Sequence, residues 1–257
     1  MSGRFHHLEL VESPPKETMV GPTGREADRY LQEAHTRELE GSFEPALRKF
    51  SAALREDTAL DAAWCGQIRC LVQLEEYPES MVWGKKACAV LPTSQSTRSA
   101  WAYALARSGT PDEALTTSDE AFNLVQSEPG PYLWLERAAC LMADQRWTPA
   151  EACLDKVGET RVDPDWQQRK AAELLFFERS ESAVSVLNDI LAARPERAYA
   201  WLLLARGYRQ MGDAPRFRRA LNKASQLSPF WGEIAKERSR GVGLPRWMSR
   251  FVGWMKG

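Results

Sequence analysis

Cysteine and histidine are the side chains best able to hold a metal ion or to serve as nucleophile and base, and this 257-residue chain arranges them for neither role. Cys65, Cys70, Cys88, Cys140 and Cys153 include no C-x-x-C pair and stand among alanines and leucines. A zinc site needs Cys and His clustered at short spacing, and the histidines are His6, His7 and His35. The cysteines therefore read as small buried hydrophobes of a reducing compartment. No Gly-rich phosphate loop, H-E-x-x-H or G-x-S-x-G occurs, and the Gly241-Val242-Gly243 pattern follows no strand. The chain reads as non-enzymatic, with no metal and no cofactor.

Interaction chemistry is concentrated instead in residues 238–257, where Arg238, Arg240, Arg246, Arg250 and Lys256 are accompanied by no acid. The formal net charge is −1, so the remainder of the chain carries −6. On a helix, Trp247, Phe251 and Trp254 share one face at i, i+4 and i+7, with Leu244, Met248 and Met255 beside them. Arg246, Ser249, Arg250 and Lys256 take the opposite face. A basic amphipathic segment of this kind can lie in a membrane interface, enter a partner's apolar groove, or fold back on its own domain. Gly253 and the short length weaken a free-standing helix, which favours docking against something.

The elements that carry these residues follow from periodicity. An apolar fraction of 44% and a charged fraction of 27% are those of a soluble folded protein. The first residues lack the basic start and apolar run of a secretory signal. No stretch approaches the ~18 consecutive apolar residues of a spanning helix. A cytoplasmic protein is expected, with peripheral membrane association through the basic segment as the second reading.

Small residues recur at a fixed step: Ala46, Ser80 and Ala114 are 34 apart, as are Ala53, Ala87 and Ala121, and Ala34, Ile68 and Ala102. After a two-residue insertion near Ser127–Gly130 the pattern resumes in Ala138, Ala171 and Ala205 and in Ala150, Ala183 and Phe217. Such columns are what two closely packed antiparallel helices require where their backbones meet. Large residues fill the gaps in columns of their own: Tyr30, Trp64, Trp134 and Trp201; Phe43, Tyr77 and Trp147; Leu71, Leu105, Leu141, Leu174 and Tyr208. Gly41, Gly109 and Gly212 sit where a helix C-terminus needs positive φ. Thr110-Pro111-Asp112-Glu113, Thr148-Pro149-Ala150-Glu151, Asp163-Pro164 and Ser228-Pro229 read as helix starts. No window alternates as a half-buried strand would.

These columns resemble the tetratricopeptide repeat family. Six copies are drawn at 27–60, 61–94, 95–128, 131–163, 164–197 and 198–231, about four-fifths of the chain. The third departs at Arg98, where an aromatic is usual, and the fifth at Gln167 and Ser180. The resemblance implies an all-α, right-handed superhelical solenoid of antiparallel helix pairs. Residues 1–23 are expected to be a disordered lead-in and 24–237 the array with a capping helix at Phe230–Glu237. Residues 238–257 are the basic amphipathic tail.

The resemblance further implies a concave groove, lined by the first helix of each repeat, that holds a partner's peptide or helix. The inward positions include His35, Arg69, Tyr103, Arg107, Leu135, Met142, Arg206 and Arg209. Arginine suits bidentate recognition of carboxylates, so the expected partner is a protein segment with acidic residues around an apolar anchor. Whether these arginines serve a partner or are paired within the array is open at this level. The family's Lys and Asn carboxylate clamp is missing, so its chaperone-tail activity is not carried over. The second partner is a membrane surface, met by Arg246, Trp247, Arg250, Phe251, Trp254 and Lys256. The acidic body and the lack of a repeated base-reading position argue against nucleic acid. The functional reading is a protein-interaction scaffold or adaptor; the alternative is a peripheral membrane assembly factor anchored by the tail.

Overall fold

The structure is a computed structural model and describes residues 23–160 and 163–228. The expected lead-in apart from Thr23, the capping helix and the basic tail lie outside the described residues. Among the described residues there are twelve α-helices and no strand. They divide into two compact bodies, one ending at Thr160 and one beginning at Arg161.

The first body holds α1 (Thr23–Leu39), α2 (Phe43–Glu56), α3 (Asp61–Gln73), α4 (Tyr77–Val90), α5 (Gln95–Ser108), α6 (Pro111–Asn123), α7 (Pro131–Ala143) and α8 (Trp147–Thr160). The second holds α9 (Pro164–Phe176), α10 (Ser180–Ala193), α11 (Ala198–Gln210) and α12 (Ala214–Leu227). Each odd-numbered helix packs on the even-numbered helix after it. Within the first body α1, α3, α5 and α7 also pack in succession, and within the second α9 packs on α11. The pairs fall where the repeat columns predict them.

The small-residue columns lie at the helix contacts. Ala46, Ser80, Ala114, Ala150 and Ala183 are all buried, and so are Ala34, Ile68, Ala102, Ala138, Ala171 and Ala205. Close approach goes furthest at Gly66 of α3, where a Cβ would stand 2.3 Å from ring carbons of the buried Phe50. An alanine there would force the buried Phe50 ring, or α2 with it, to shift.

All six turns inside the pairs use the same device. A residue one or two positions past the end of the first helix has positive φ: Gly41 (75°), Glu75 (58°), Gly109 (91°), Gln145 (58°), Glu178 (61°) and Gly212 (77°). The next amide then donates back to the carbonyl of Arg37, Leu71, Leu105, Leu141, Leu174 or Tyr208, at 2.8 to 3.1 Å. This is the Schellman cap, and five of its six acceptors belong to one apolar column read from the sequence.

Two of the departures from the repeat pattern have a structural account. In α3 and α11 the Trp64 and Trp201 indoles donate to the carbonyls of Thr58 and Pro195, six residues upstream, at 2.9 and 2.8 Å. At the equivalent place Arg98 Nη2 donates to the Pro92 carbonyl at 3.3 Å, while Nη1 meets Glu120 at 2.6 Å. Arginine supplies the donor that tryptophan supplies elsewhere. Ser180, where a bulky residue is usual, instead donates to Gln210 Oε1 at 2.7 Å, and Gln210 Nε2 caps the Leu175 carbonyl.

The helix starts need two corrections. Thr148 lies inside α8, which begins at Trp147. Thr110 is the N-cap residue of α6, but its hydroxyl donates back to the Leu105 carbonyl at 3.0 Å and makes no cap bond. The turn is only two residues long, so the carbonyls ending α5 are the nearer partners. Asp163 behaves as read, accepting from the Asp165 amide at 3.0 Å.

A left-handed conformation costs a residue with a Cβ about 1–2 kcal/mol, so the three non-glycine turns carry strain that the glycine turns lack. Gln145→Gly and Glu178→Gly should each stabilise the fold by up to about 1 kcal/mol, since glycine's unfolded-state entropy offsets part of the gain. Denaturant unfolding of the double variant checks this; a lowered midpoint would mean these side chains are worth more than the strain.

Candidate functional site

The inner positions named from the sequence come from the first helix of each pair, and the structure sorts them into two groups by body. In the first body, His35 (α1), Arg69 (α3), Tyr103 and Arg107 (α5), and Leu135 and Met142 (α7) lie on helices that pack side by side. Arg206 and Arg209 lie half-buried on α11 of the second body.

Packing of α1, α3, α5 and α7 on one another removes most of the first group from solvent. Leu135 and Met142 are buried and belong to the core. Cys140 is likewise in a core cluster with Ala102, Leu105, Ala106 and Ala114. Burial pushes the thiols of Cys65 and Cys140 well above the ordinary range, and raises Cys88 and Cys153 in the same direction. A thiolate is the reactive form, so this environment suppresses nucleophilic and metal-binding chemistry at these four. No group of His, Cys, Asp and Glu among the described residues could hold a metal ion.

The centre of the first body is an ionic cluster. Arg69 is only 7% exposed. Its Nη1 donates to Glu136 Oε1 of α7 at 3.2 Å, and its Nε lies 3.7 Å from Glu38 Oε1 of α1. The guanidinium carbon stands 3.7 Å from the centroid of the Tyr132 ring. Glu38 and Glu136 are 4% and 3% exposed. Burial opposes the charge on Arg69, but Tyr132, Glu38 and Glu136 outweigh it and hold the guanidinium above the ordinary arginine range. His35 closes the cluster on one side, Nδ1 3.4 Å from Glu38 Oε2, its ring edge-on to Phe50. Beside it, Tyr103 Oη accepts from Gln73 Nε2 at 3.0 Å and from Arg107 Nη1 at 2.7 Å.

Arg69 thus links the second repeat to the fourth, past the third. Of the two fates the sequence leaves open for this arginine, the structure gives it pairing within the array. A buried arginine between two carboxylates is not presented to a partner's carboxylate, because extracting it would strand Glu38 and Glu136. Sequence reasoning named His35, Arg69, Tyr103 and Arg107 and missed Glu38, Tyr132 and Glu136. A signal for Glu38 exists: its equivalents in the next four repeats are Val72, Ala106, Met142 and Leu175, with Arg209 in the sixth. An acid in an apolar column must be paired. The tail residues Arg246, Trp247, Arg250, Phe251, Trp254 and Lys256 lie outside the described residues.

Removing one partner of a buried pair leaves an uncompensated charge and costs about 3–5 kcal/mol. Arg69→Met should destabilise by that order, and Arg69→Met with Glu38→Gln and Glu136→Gln should recover most of the loss. Urea denaturation of the two variants checks it; equal stability of both would show that the cluster is not electrostatically coupled.

No family model matches the chain and no curated protein matches it. Among solved structures, it is similar to a thermophilic TPR protein of Thermus thermophilus, at 20% identity and TM-score 0.52, over 70% of this chain and 98% of that one. It is also similar to the human IFIT1 dimer with PPP-AAAA, at 17% identity and TM-score 0.51, over 71% of this chain and 46% of that one. Tandem helix pairs at a 34-residue step, closed by the same cap in every repeat, and the likeness to these structures agree on one architecture: the chain has the tetratricopeptide-repeat fold.

Proposed function

We propose that this chain is a non-catalytic protein-interaction scaffold that holds a segment of a partner protein along the first helices of its repeats. The observation that carries the reading is the side-by-side packing of α1, α3, α5 and α7, an extended face built on one register rather than a pocket around a reacting atom. The Arg69 cluster stiffens that face, and a preorganised surface binds without the cost of ordering itself. An extended or helical segment matches such a surface, and Arg206 and Arg209 on α11 favour acidic residues in it.

The second reading, a peripheral membrane assembly factor, is favoured by the segregation of charge. Residues 238–257 carry five bases and no acid, with tryptophans at helical spacing. No helix among the described residues is long and apolar enough to cross a membrane, so any membrane contact through them would be at the surface.

Charge reversal at Arg69 cannot test the scaffold reading, because a third buried acid beside Glu38 and Glu136 would unfold the body. Affinity capture of the tagged chain from its native lysate, with soluble and membrane fractions analysed separately, should yield a stoichiometric partner protein. Hydrogen exchange of the purified complex should then show protection along α1, α3, α5 and α7 or along α9 and α11. Protection confined to the even-numbered helices would sink the groove reading, and Arg206→Glu with Arg209→Glu should weaken capture at least tenfold if they read acidic residues.

A further inference from the structure

Helix α12 carries Arg216, Arg218, Arg219 and Lys223 and no acid. Its buried residues are Phe217, Ala220 and Ala224, at i, i+3 and i+7, so that stripe faces α11 and the bases lie outside it. Arg216 turns to the capping Asp213, Nε 3.0 Å from Oδ2. Arg218, Arg219 and Lys223 are exposed. Several less exposed arginines of the array stand against carboxylates: Arg69 against Glu136, Arg98 against Glu120, Arg137 against Asp119, Arg197 against Asp165. On α12, Arg219 and Lys223 are instead like charges one turn apart, an arrangement that weakens a helix.

The sequence beyond the helix keeps the same sign. From Arg216 to Gly257 there are ten bases and two acids, which leaves the rest of the chain at −9. The last twenty residues hold no acid, so they offer α12 no neutralising partner. The exposed bases of α12 and the acid-free last twenty residues together favour an anion outside the chain. Its class follows from the apolar residues mixed with the bases: Leu244, Trp247, Met248, Phe251, Val252, Trp254 and Met255. Single-stranded nucleic acid rewards rings that stack on bases, but Leu, Met and Val gain nothing there. In a bilayer they enter the acyl boundary, with tryptophan at the headgroup level.

We infer that the exposed basic face of α12 is an electrostatic docking surface for an anionic lipid bilayer. This rests on the membrane reading given above and adds a folded, positioned element to it. Each base close to an anionic surface multiplies affinity about fivefold, and the attraction is screened by salt.

The experiment is vesicle flotation of the full chain, the R218Q/R219Q/K223Q variant and a chain stopped after Arg240. The vesicles are phosphatidylcholine alone or phosphatidylcholine mixed with phosphatidylserine. The full chain should float with the anionic vesicles and not with the neutral ones. The triple variant, with unchanged helicity and melting, should bind about a hundredfold more weakly, and high salt should reproduce the loss. If the triple variant binds as the full chain does while the shortened chain does not, the α12 inference is overturned and the membrane reading stands on the tail alone. If the full chain floats with neither vesicle, both fall. Equal flotation with neutral vesicles overturns the electrostatic role, and tighter binding of a polyuridine oligonucleotide than of anionic vesicles overturns the choice of partner.

Discussion

Two helices joined by a turn of two or three residues can pack along their length only if their backbones approach closely and the chain reverses sharply. The first condition demands small side chains at the crossing, and the second demands a backbone conformation that a Cβ disfavours. Every repeat meets both demands at the same positions. The Schellman cap ties them together, because the residue whose carbonyl closes the turn is Leu71, Leu105, Leu141, Leu174 or Tyr208 in five of the six repeats. That same residue is buried against the neighbouring helices. Backbone satisfaction and core packing therefore converge on one column: its carbonyls close the turns and its side chains fill the core.

Glycine is not the only solution to that constraint. Glu75, Gln145 and Glu178 take positive φ without it, at a cost the packing on either side covers. Arg98 replaces the tryptophan donor of its column by a guanidinium, and Ser180 replaces bulk by a hydrogen bond to Gln210. The repeat specifies what each position must do, whether donate, turn or stay small, more strictly than which residue does it. At 20% identity to a protein with the same fold, this is the level at which the likeness survives.

The architecture was legible because each demand recurs six times, so a departure in one copy could be read against the others. Helix starts were less legible. Thr110 could cap its own helix or bond back to the helix before, and turn length decides that. The site was hardest. Position on the first helix identified Arg69 and Tyr103 as inward, but inward does not mean accessible: where α1, α3, α5 and α7 pack in succession, Arg69, Tyr103, Arg107, Leu135 and Met142 are buried. That Arg69 reaches Glu136, 67 residues away, depends on how repeats stack, which no single repeat's sequence encodes. Glu38, set in a column of Val, Ala, Met and Leu, was the one partner the sequence could have announced.

The buried cluster in the first body and the exposed bases of α12 put opposite uses of arginine in one chain. Around Arg69 the charge is taken out of water, so its partners must be fixed and internal. An apolar trio of similar volume could be as stable there. What the ions add is direction: Arg69 meets both carboxylates only when the second repeat meets the first and the fourth in a single register, with Tyr132 against its guanidinium. Pairing of this kind selects one arrangement of repeats among those that would bury similar apolar area. On α12 the charge stays in water, where attraction to a fixed partner is weak but attraction to a broad anionic surface accumulates over many bases. Depth of burial, not residue type, separates an arginine that shapes the array from one available to a surface outside it.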